Sequence, residues 1–273
     1  MYKIGLSSCS KVLDEKLFAE YAESGIDAME ISQGGLDYKY IDYQALRRYA
    51  DRYHIDLWSY HLPFTTTDPC TSDIGFRNCS VELHCEQIKQ ASQIGIHKFV
   101  LHAGLERRHL EPEERAVLME NSKNSLNTLA EYAARFGGQI CVEVLPRTCL
   151  GRNSEEILEL ISVNDKLRVC LDTNHLLKED NADFIRKVGD KITTLHVSDY
   201  DFIDERHWLP GEGQIQWKTV LDALQEVGYK GVWMYELGFA CPKGLQRRAL
   251  NCADFVRNAH ELFENKPLTI VGE

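Results

Sequence analysis

The sequence predicts an α/β protein, a single (β/α)8 TIM barrel domain occupying residues 1–273. Three observations predict it. Eight short β-rich runs are spaced along the whole chain, and a helical segment follows each one. The runs are nearly continuous in Val, Ile, Leu and aromatic residues, as strands buried on both faces are. The first run ends Leu6-Ser7-Ser8-Cys9-Ser10, without the glycines that an open doubly wound nucleotide-binding sheet places there. Strict alternation repeated eight times favours closure into a barrel.

The expected strands are residues 3–8, 27–32, 56–62, 98–103, 139–145, 167–173, 193–198 and 231–237. Between and after them, apolar residues at three- and four-residue spacing predict helices over 14–24, 43–54, 79–94, 113–136, 154–162, 182–188, 217–227 and 243–264. Ser154, with Glu155 and Glu156 behind Asn153, marks a helix start. The phrases Ser24-Gly25-Ile26-Asp27, Ile94-Gly95-Ile96-His97 and Val227-Gly228-Tyr229-Lys230 each close a helix on Gly and open a strand.

The totals narrow the function. A 273-residue chain with 44% apolar and 27% charged residues is of ordinary globular composition. Its apolar runs fall far short of the roughly 20 residues that cross a bilayer, so no membrane partner is expected. No targeting segment is evident, and the cytoplasm is the expected location. The nine cysteines are odd in number and lack a C-x-x-C. They read as reduced thiols, with Cys9, Cys141, Cys170 and Cys241 buried in or beside apolar segments. A net charge of −11 argues against nucleic acid as the partner.

The chemistry is written at the strand ends. Six consecutive strands finish an apolar run with His61, His102, Glu143, Asp172, His196 and Glu236. An isolated buried carboxylate costs several kcal/mol unless paired or bound to a cation. In a barrel these side chains share one mouth, where Glu143, Asp172 and Glu236 would repel one another without a cation between them. The ligand set read from this pattern is Glu143, Asp172, His196 and Glu236. Three carboxylates and one imidazole suit one divalent ion, Mn²⁺ first, with Zn²⁺, Co²⁺ or Mg²⁺ also accommodated. His175 follows Asp172 at three residues, and Asp204-Glu205-Arg206-His207 follows the seventh strand. Arg147, Arg152 and Arg206 are available to a phosphate, and Trp58, Tyr60, Phe64, Trp208 and Trp233 to the face of a sugar. No Lys ends a strand, which argues against a Schiff-base aldolase.

At these residues the chain resembles the xylose-isomerase-like barrel superfamily. The resemblance spans nearly the whole chain. It is carried by Val142-Glu143, Leu171-Asp172-Thr173-Asn174-His175, Leu195-His196-Val197-Ser198-Asp199, Leu209-Pro210-Gly211-Glu212-Gly213 and Tyr235-Glu236. The superfamily includes sugar epimerases of the tagatose/psicose type, inosose dehydratases, hydroxypyruvate isomerases and type IV AP endonucleases. The epimerase pattern implies that Glu143 and Glu236 are the acid/base pair as well as metal ligands. It implies that His175 and Arg206 contact substrate hydroxyls, with His61, His102 and His207 also on the substrate side. The implied partner is a small sugar or polyol-derived molecule, and the implied assembly a homodimer or tetramer.

The expected activity is therefore metal-dependent isomerisation or epimerisation of a small polyhydroxy ketone or aldehyde through a cis-enediolate. An inosose dehydratase-type lyase passes through the same intermediate. A multi-zinc endonuclease-like phosphodiesterase is the rival, since His61, His102, His175 and Glu205-Arg206-His207 resemble its zinc ligands. Against it stand Glu205 in place of Asp, Val144-Leu145-Pro146-Arg147 after Glu143, and the acidic net charge. A catalytically silent barrel that senses a metal and a ligand is the third alternative.

Overall fold

The computed structural model describes residues 1–9, 11–107 and 110–272. Its strands are β1 (Ile4–Ser7), β2 (Ala28–Ile31), β3 (Asp56–His61), β4 (Lys98–Leu101), β5 (Gln139–Glu143), β6 (Arg168–Asp172), β7 (Ile192–His196) and β8 (Trp233–Tyr235). All pairings are parallel, in the order β7-β6-β5-β4-β3-β2-β1-β8. A parallel bridge between Val197 and Tyr235 brings β7 against β8 and closes the wall. Each expected strand is present, trimmed by one or two residues at an end that turns into a loop, and β7 begins one residue early, at Ile192.

The helices are α1 (Glu15–Ser24), α2 (Tyr43–Tyr53), α3 (Ile74–Ser92), α4 (Pro112–Ala134), α5 (Ser154–Ile161), α6 (Asn181–Val188), α7 (Trp217–Glu226) and α8 (Cys252–Phe263). Helix α3 begins five residues before the expected start, because Asp73 caps it by accepting from the Phe76 amide at 3.0 Å. Helix α8 begins nine residues later than expected. Residues 243–251 are loop, and the helix opens on a capping box between Asn251 and Asp254. Gly25 and Gly95 turn their chains with φ of 86° and 87°, a region that L side chains avoid.

Side-chain alternation along the strands makes two layers. Outward residues such as Leu6, Met29, Ile31, Phe99, Val142, Leu171 and Leu195 pack under the helices in one continuous apolar cluster. Inward residues form small clusters: Ala28, Val232 and Met234, then Val100, Cys141 and Cys170. The period of two then places Glu30, His102, Glu143, Asp172 and Glu236 one step above this floor. The polar mouth thus stands on an apolar plug.

Of the thiols expected to be buried, Cys141 and Cys170 are. Cys9 and Cys241 are exposed, because they sit on loops past β1 and β8 rather than in the wall. Of the aromatics placed near the mouth, only Phe64 lines the main cavity. Trp233 and Tyr60 are core side chains, and Trp58 points to the opposite end, under the Lys98 ammonium.

Asp254 ties the last helix down. Its carboxylate, 1% exposed, takes both Arg248 nitrogens at 2.7 and 2.8 Å, Arg257 at 2.7 Å and the Asn251 amide at 2.9 Å. Burial pushes its pKa up, but these donors outweigh burial and hold it at about 2. The folded value lies below the unfolded one. Its contribution is therefore present above about pH 4 and lost as pH falls towards 2. Asp254→Asn is expected to lower Tm at neutral pH, with the gap to wild type narrowing below about pH 4. Thermal melts at a series of pH values check this, and a gap of constant width would contradict it.

Candidate active site

Glu143, at the end of β5, is 1% exposed and is the hub of the mouth. Its Oε2 faces His61 Nε2 and His102 Nε2, each at 3.1 Å. Its Oε1 faces His196 Nδ1 at 3.2 Å, and that nitrogen also meets Glu236 Oε2 at 2.9 Å. Asp172, from β6, completes the group. One ligand atom from each of Glu143, Asp172, His196 and Glu236 lies within 4.8 Å of all the others. The four residues read from the strand ends are thus brought together.

Asp172 Oδ1 accepts from the Asn174 amide at 2.7 Å. Among the described residues its Oδ2 is buried without a hydrogen-bond partner, with His175 Nδ1 3.4 Å away but turned to the Val144 carbonyl. A buried carboxylate oxygen with no donor is costly, and a cation at the centre of the group would satisfy it. The donor set fits a divalent ion on this ground.

Three further histidines surround the group, each with Nδ1 turned to a backbone carbonyl. His61 Nδ1 lies 2.9 Å from Leu62 O, His175 Nδ1 2.9 Å from Val144 O, and His207 Nδ1 3.2 Å from Glu236 O. A carbonyl only accepts, so Nδ1 carries the proton and Nε2 is presented to the cavity. His61 and His102 with Glu143, and His175 and His207 with Glu205, form two additional clusters of metal-ligand type.

The charges are strongly coupled. Burial alone would push Glu143 up, but His196 and His102 hold it well below the usual carboxylate range. Glu236 is likewise held at about 2, where His196 overcomes burial. Asp172 moves the other way, to about 6, driven by burial and the charges of Glu143 and Glu236 against the pull of His175 and His207. Burial would lower His61, yet Glu143 raises it to about 9. His175 also rises to about 9, chiefly because Asp172 and Glu205 outweigh burial. By themselves, the carboxylates draw protons onto the imidazoles beside them. A divalent cation can take over that neutralisation.

The cavity above the group measures about 600 Å³. Its apolar wall includes Phe64, Leu105, Leu145, Pro146 and Leu237, and its polar floor includes His61, His102, Glu143, His175, His207 and Glu236. Arg206 does not line it. Its Nε binds Asp201 at 2.9 Å, and its guanidinium lies 6.0 Å from the Trp208 ring. Arg147 lines the rim but is committed to Glu106 at 2.8 Å, Asp204 at 2.7 Å and Glu205 at 2.8 Å. Arg152 is paired with Glu156 at 3.2 Å. The arginines available to a phosphate in the sequence thus each have a carboxylate partner.

Two residues were not singled out by sequence reasoning. For Glu205 the sequence offers a place in the Glu205-Arg206-His207 run of the rival zinc reading and a departure from its Asp, but no role in the sugar site. In the folded chain its Oε2 stands 3.3 Å from His175 Nε2, while Arg147 grips the other oxygen. Glu30, on β2, is fully buried beneath His196, with Oε2 3.0 Å from Nε2. The signal was a lone acid in the apolar run Ala28-Met29-Glu30-Ile31, the same pattern that marked the later strands.

Known proteins resemble this chain over most of its length. The sequence pattern of the family described as "Xylose isomerase-like TIM barrel" matches residues 18–251. Protein MJ1311 of Methanocaldococcus jannaschii, without an assigned activity, is 31% identical over 244 residues, covering 84% of this chain and 82% of its own. Fructoselysine 3-epimerase of Shigella flexneri is 24% identical over 254 residues, covering 86% and 90%. A crystal structure of a D-tagatose 3-epimerase-like protein superposes with a TM-score of 0.81 at 25% identity, over 96% of this chain and 97% of that one. By the span of the family pattern and the similarity to MJ1311, the chain belongs to the xylose isomerase-like TIM barrel family.

Proposed function

We propose that the protein is a divalent-metal-dependent sugar epimerase acting on a small polyhydroxy ketone or aldehyde. The observation that carries this reading is the meeting of Glu143 and Glu236 across a histidine–carboxylate group that fits a cation. The named activities of the relatives, fructoselysine and psicose 3-epimerases, support it. An ion held by Glu143, Asp172, His196 and Glu236, with Mn²⁺ the first candidate, would polarise the substrate carbonyl.

The remaining steps belong to the chain. One of the two glutamates removes the proton beside the carbonyl, and the C–H electrons move into the carbon–carbon bond of an enediolate. The other glutamate returns a proton to the opposite face. Acid–base catalysis of this kind contributes roughly 10²–10⁴-fold. The Nε2 atoms of His61, His102, His175 and His207 meet substrate hydroxyls, and the apolar wall packs a carbon face of the sugar while excluding water.

A second reading is favoured by one observation, the two additional clusters on either side of the central group. Filled with zinc, they would make a hydrolytic phosphodiesterase centre. Metal content by plasma mass spectrometry separates the readings. One ion per chain, unchanged in His102→Ala and lost in Glu236→Gln, is expected of the epimerase. Two or three zinc ions, fewer in His102→Ala, would overturn it in favour of the phosphodiesterase. The matching activity assay is a panel of ketoses, aldoses and inososes with added Mn²⁺.

A further inference from the structure

We infer that Glu30 is a positioning residue that fixes which nitrogen His196 offers to the cation, an inference that rests on the metal reading above. Among the described residues, Glu30 belongs to none of the three clusters of metal-ligand type. Yet its carboxylate lies at the centre of the barrel, wholly buried. A carboxylate there costs several kcal/mol unless donors surround it. Three donors do so: Ser59 Oγ at 2.8 Å, Ser7 Oγ at 3.4 Å and His196 Nε2 at 3.0 Å. The two hydroxyls, from β3 and β1, clamp the carboxylate from either side. His196 is the ionisable partner.

The consequence concerns the ring. An ionised carboxylate only accepts, so Nε2 keeps a proton. A neutral imidazole then has its lone pair on Nδ1, which faces Glu143 Oε1 at 3.2 Å and Glu236 Oε2 at 2.9 Å. His61, His175 and His207 are set the opposite way, with Nδ1–H on a carbonyl and Nε2 inward. His196 is thus reversed relative to its neighbours, and Glu30 is the group that reverses it. A ring left without Glu30 could keep its proton on Nδ1 and aim that hydrogen at the cation. The negative charge behind the ring also makes Nδ1 a better donor, as carboxylate partners of metal-bound histidines do.

The test is Mn²⁺ binding to the full chain by calorimetry, with the wild type, Glu30→Gln and Glu30→Ala. Glu30→Ala is expected to weaken binding by about 10–100-fold, the usual cost of losing such a partner. Glu30→Gln should fall between, because its amide oxygen can still accept from Nε2 but carries no charge. Visible absorption of Co²⁺-loaded Glu30→Gln should shift against wild type, a change in ligand field that a purely structural role would not produce. If Glu30→Ala does not fold, as melting would show, Glu30→Gln decides alone. Wild-type Mn²⁺ affinity in both variants, or in Glu30→Gln alone with an unshifted Co²⁺ spectrum, overturns the inference and leaves the metal reading standing. No Mn²⁺ binding by the wild type overturns the metal reading itself, and the inference with it.

Discussion

Glu143→Gln is expected to lower kcat by roughly 10²–10⁴-fold on the sugar that the wild type turns over. Glutamine matches the shape of the side chain and keeps one oxygen to face His196 and a cation. It lacks the charge that takes a proton, and its NH₂ cannot accept from both His61 and His102, which now share Oε2 at 3.1 Å each. The variant should therefore lose deuterium exchange beside the substrate carbonyl together with turnover. Metal content measured on the same samples separates loss of the base from loss of the ion. Turnover within threefold of wild type would remove Glu143 from the acid/base pair. A wild type that turns over no sugar would point to a ligand-sensing barrel.

The second large effect is expected from a chelator. Stripping divalent ions should abolish turnover and lower Tm, and Mn²⁺ should restore both. A ligand at 100 times its Kd stabilises the folded state by about 2.7 kcal/mol, which corresponds to several degrees in Tm for a chain of this size. The pH dependence follows from the ligands. Asp172 is pushed up to about 6 when no ion neutralises its neighbours, chiefly by burial. Below about pH 6 the ion must displace its proton, so apparent affinity falls as pH drops. Full activity in chelator, with no change in Tm, would show that the carboxylates are neutralised by protons alone.

Much of this was legible in the sequence, for a physical reason. A strand buried on both faces has no room for charge, so Glu143, Asp172, His196 and Glu236 stand out at the ends of apolar runs. Glu30 obeys the same rule, but its run on β2 is short and continues into Ile31, so the acid reads as mid-strand rather than as an end. Spacing alone starts helix α8 too early, because residues 243–251 carry apolar residues at helical intervals. The stop was nevertheless written in Asn251 and Asp254, a cap that spacing alone does not weigh. Arg147 escaped because its partners lie on other segments of the rim, and Arg206 because its partner Asp201 sits in the same irregular loop, outside any helical or strand spacing. Ion pairing across loops, such as Arg147 with Glu106 and Asp204, has no periodicity to read.

The wall of the barrel is not equally fastened all the way round. Between β7 and β8, among the described residues, the stitches are Val197 N to Met234 O at 2.8 Å and Glu236 N to Val197 O at 3.3 Å. His196 and Glu236 flank this seam, and their side chains meet across it at 2.9 Å. An ion gripping both would act as a rivet where the cylinder is most thinly sewn. Loading the site would then tighten the wall itself, making occupancy and the integrity of the barrel two readings of one fastening.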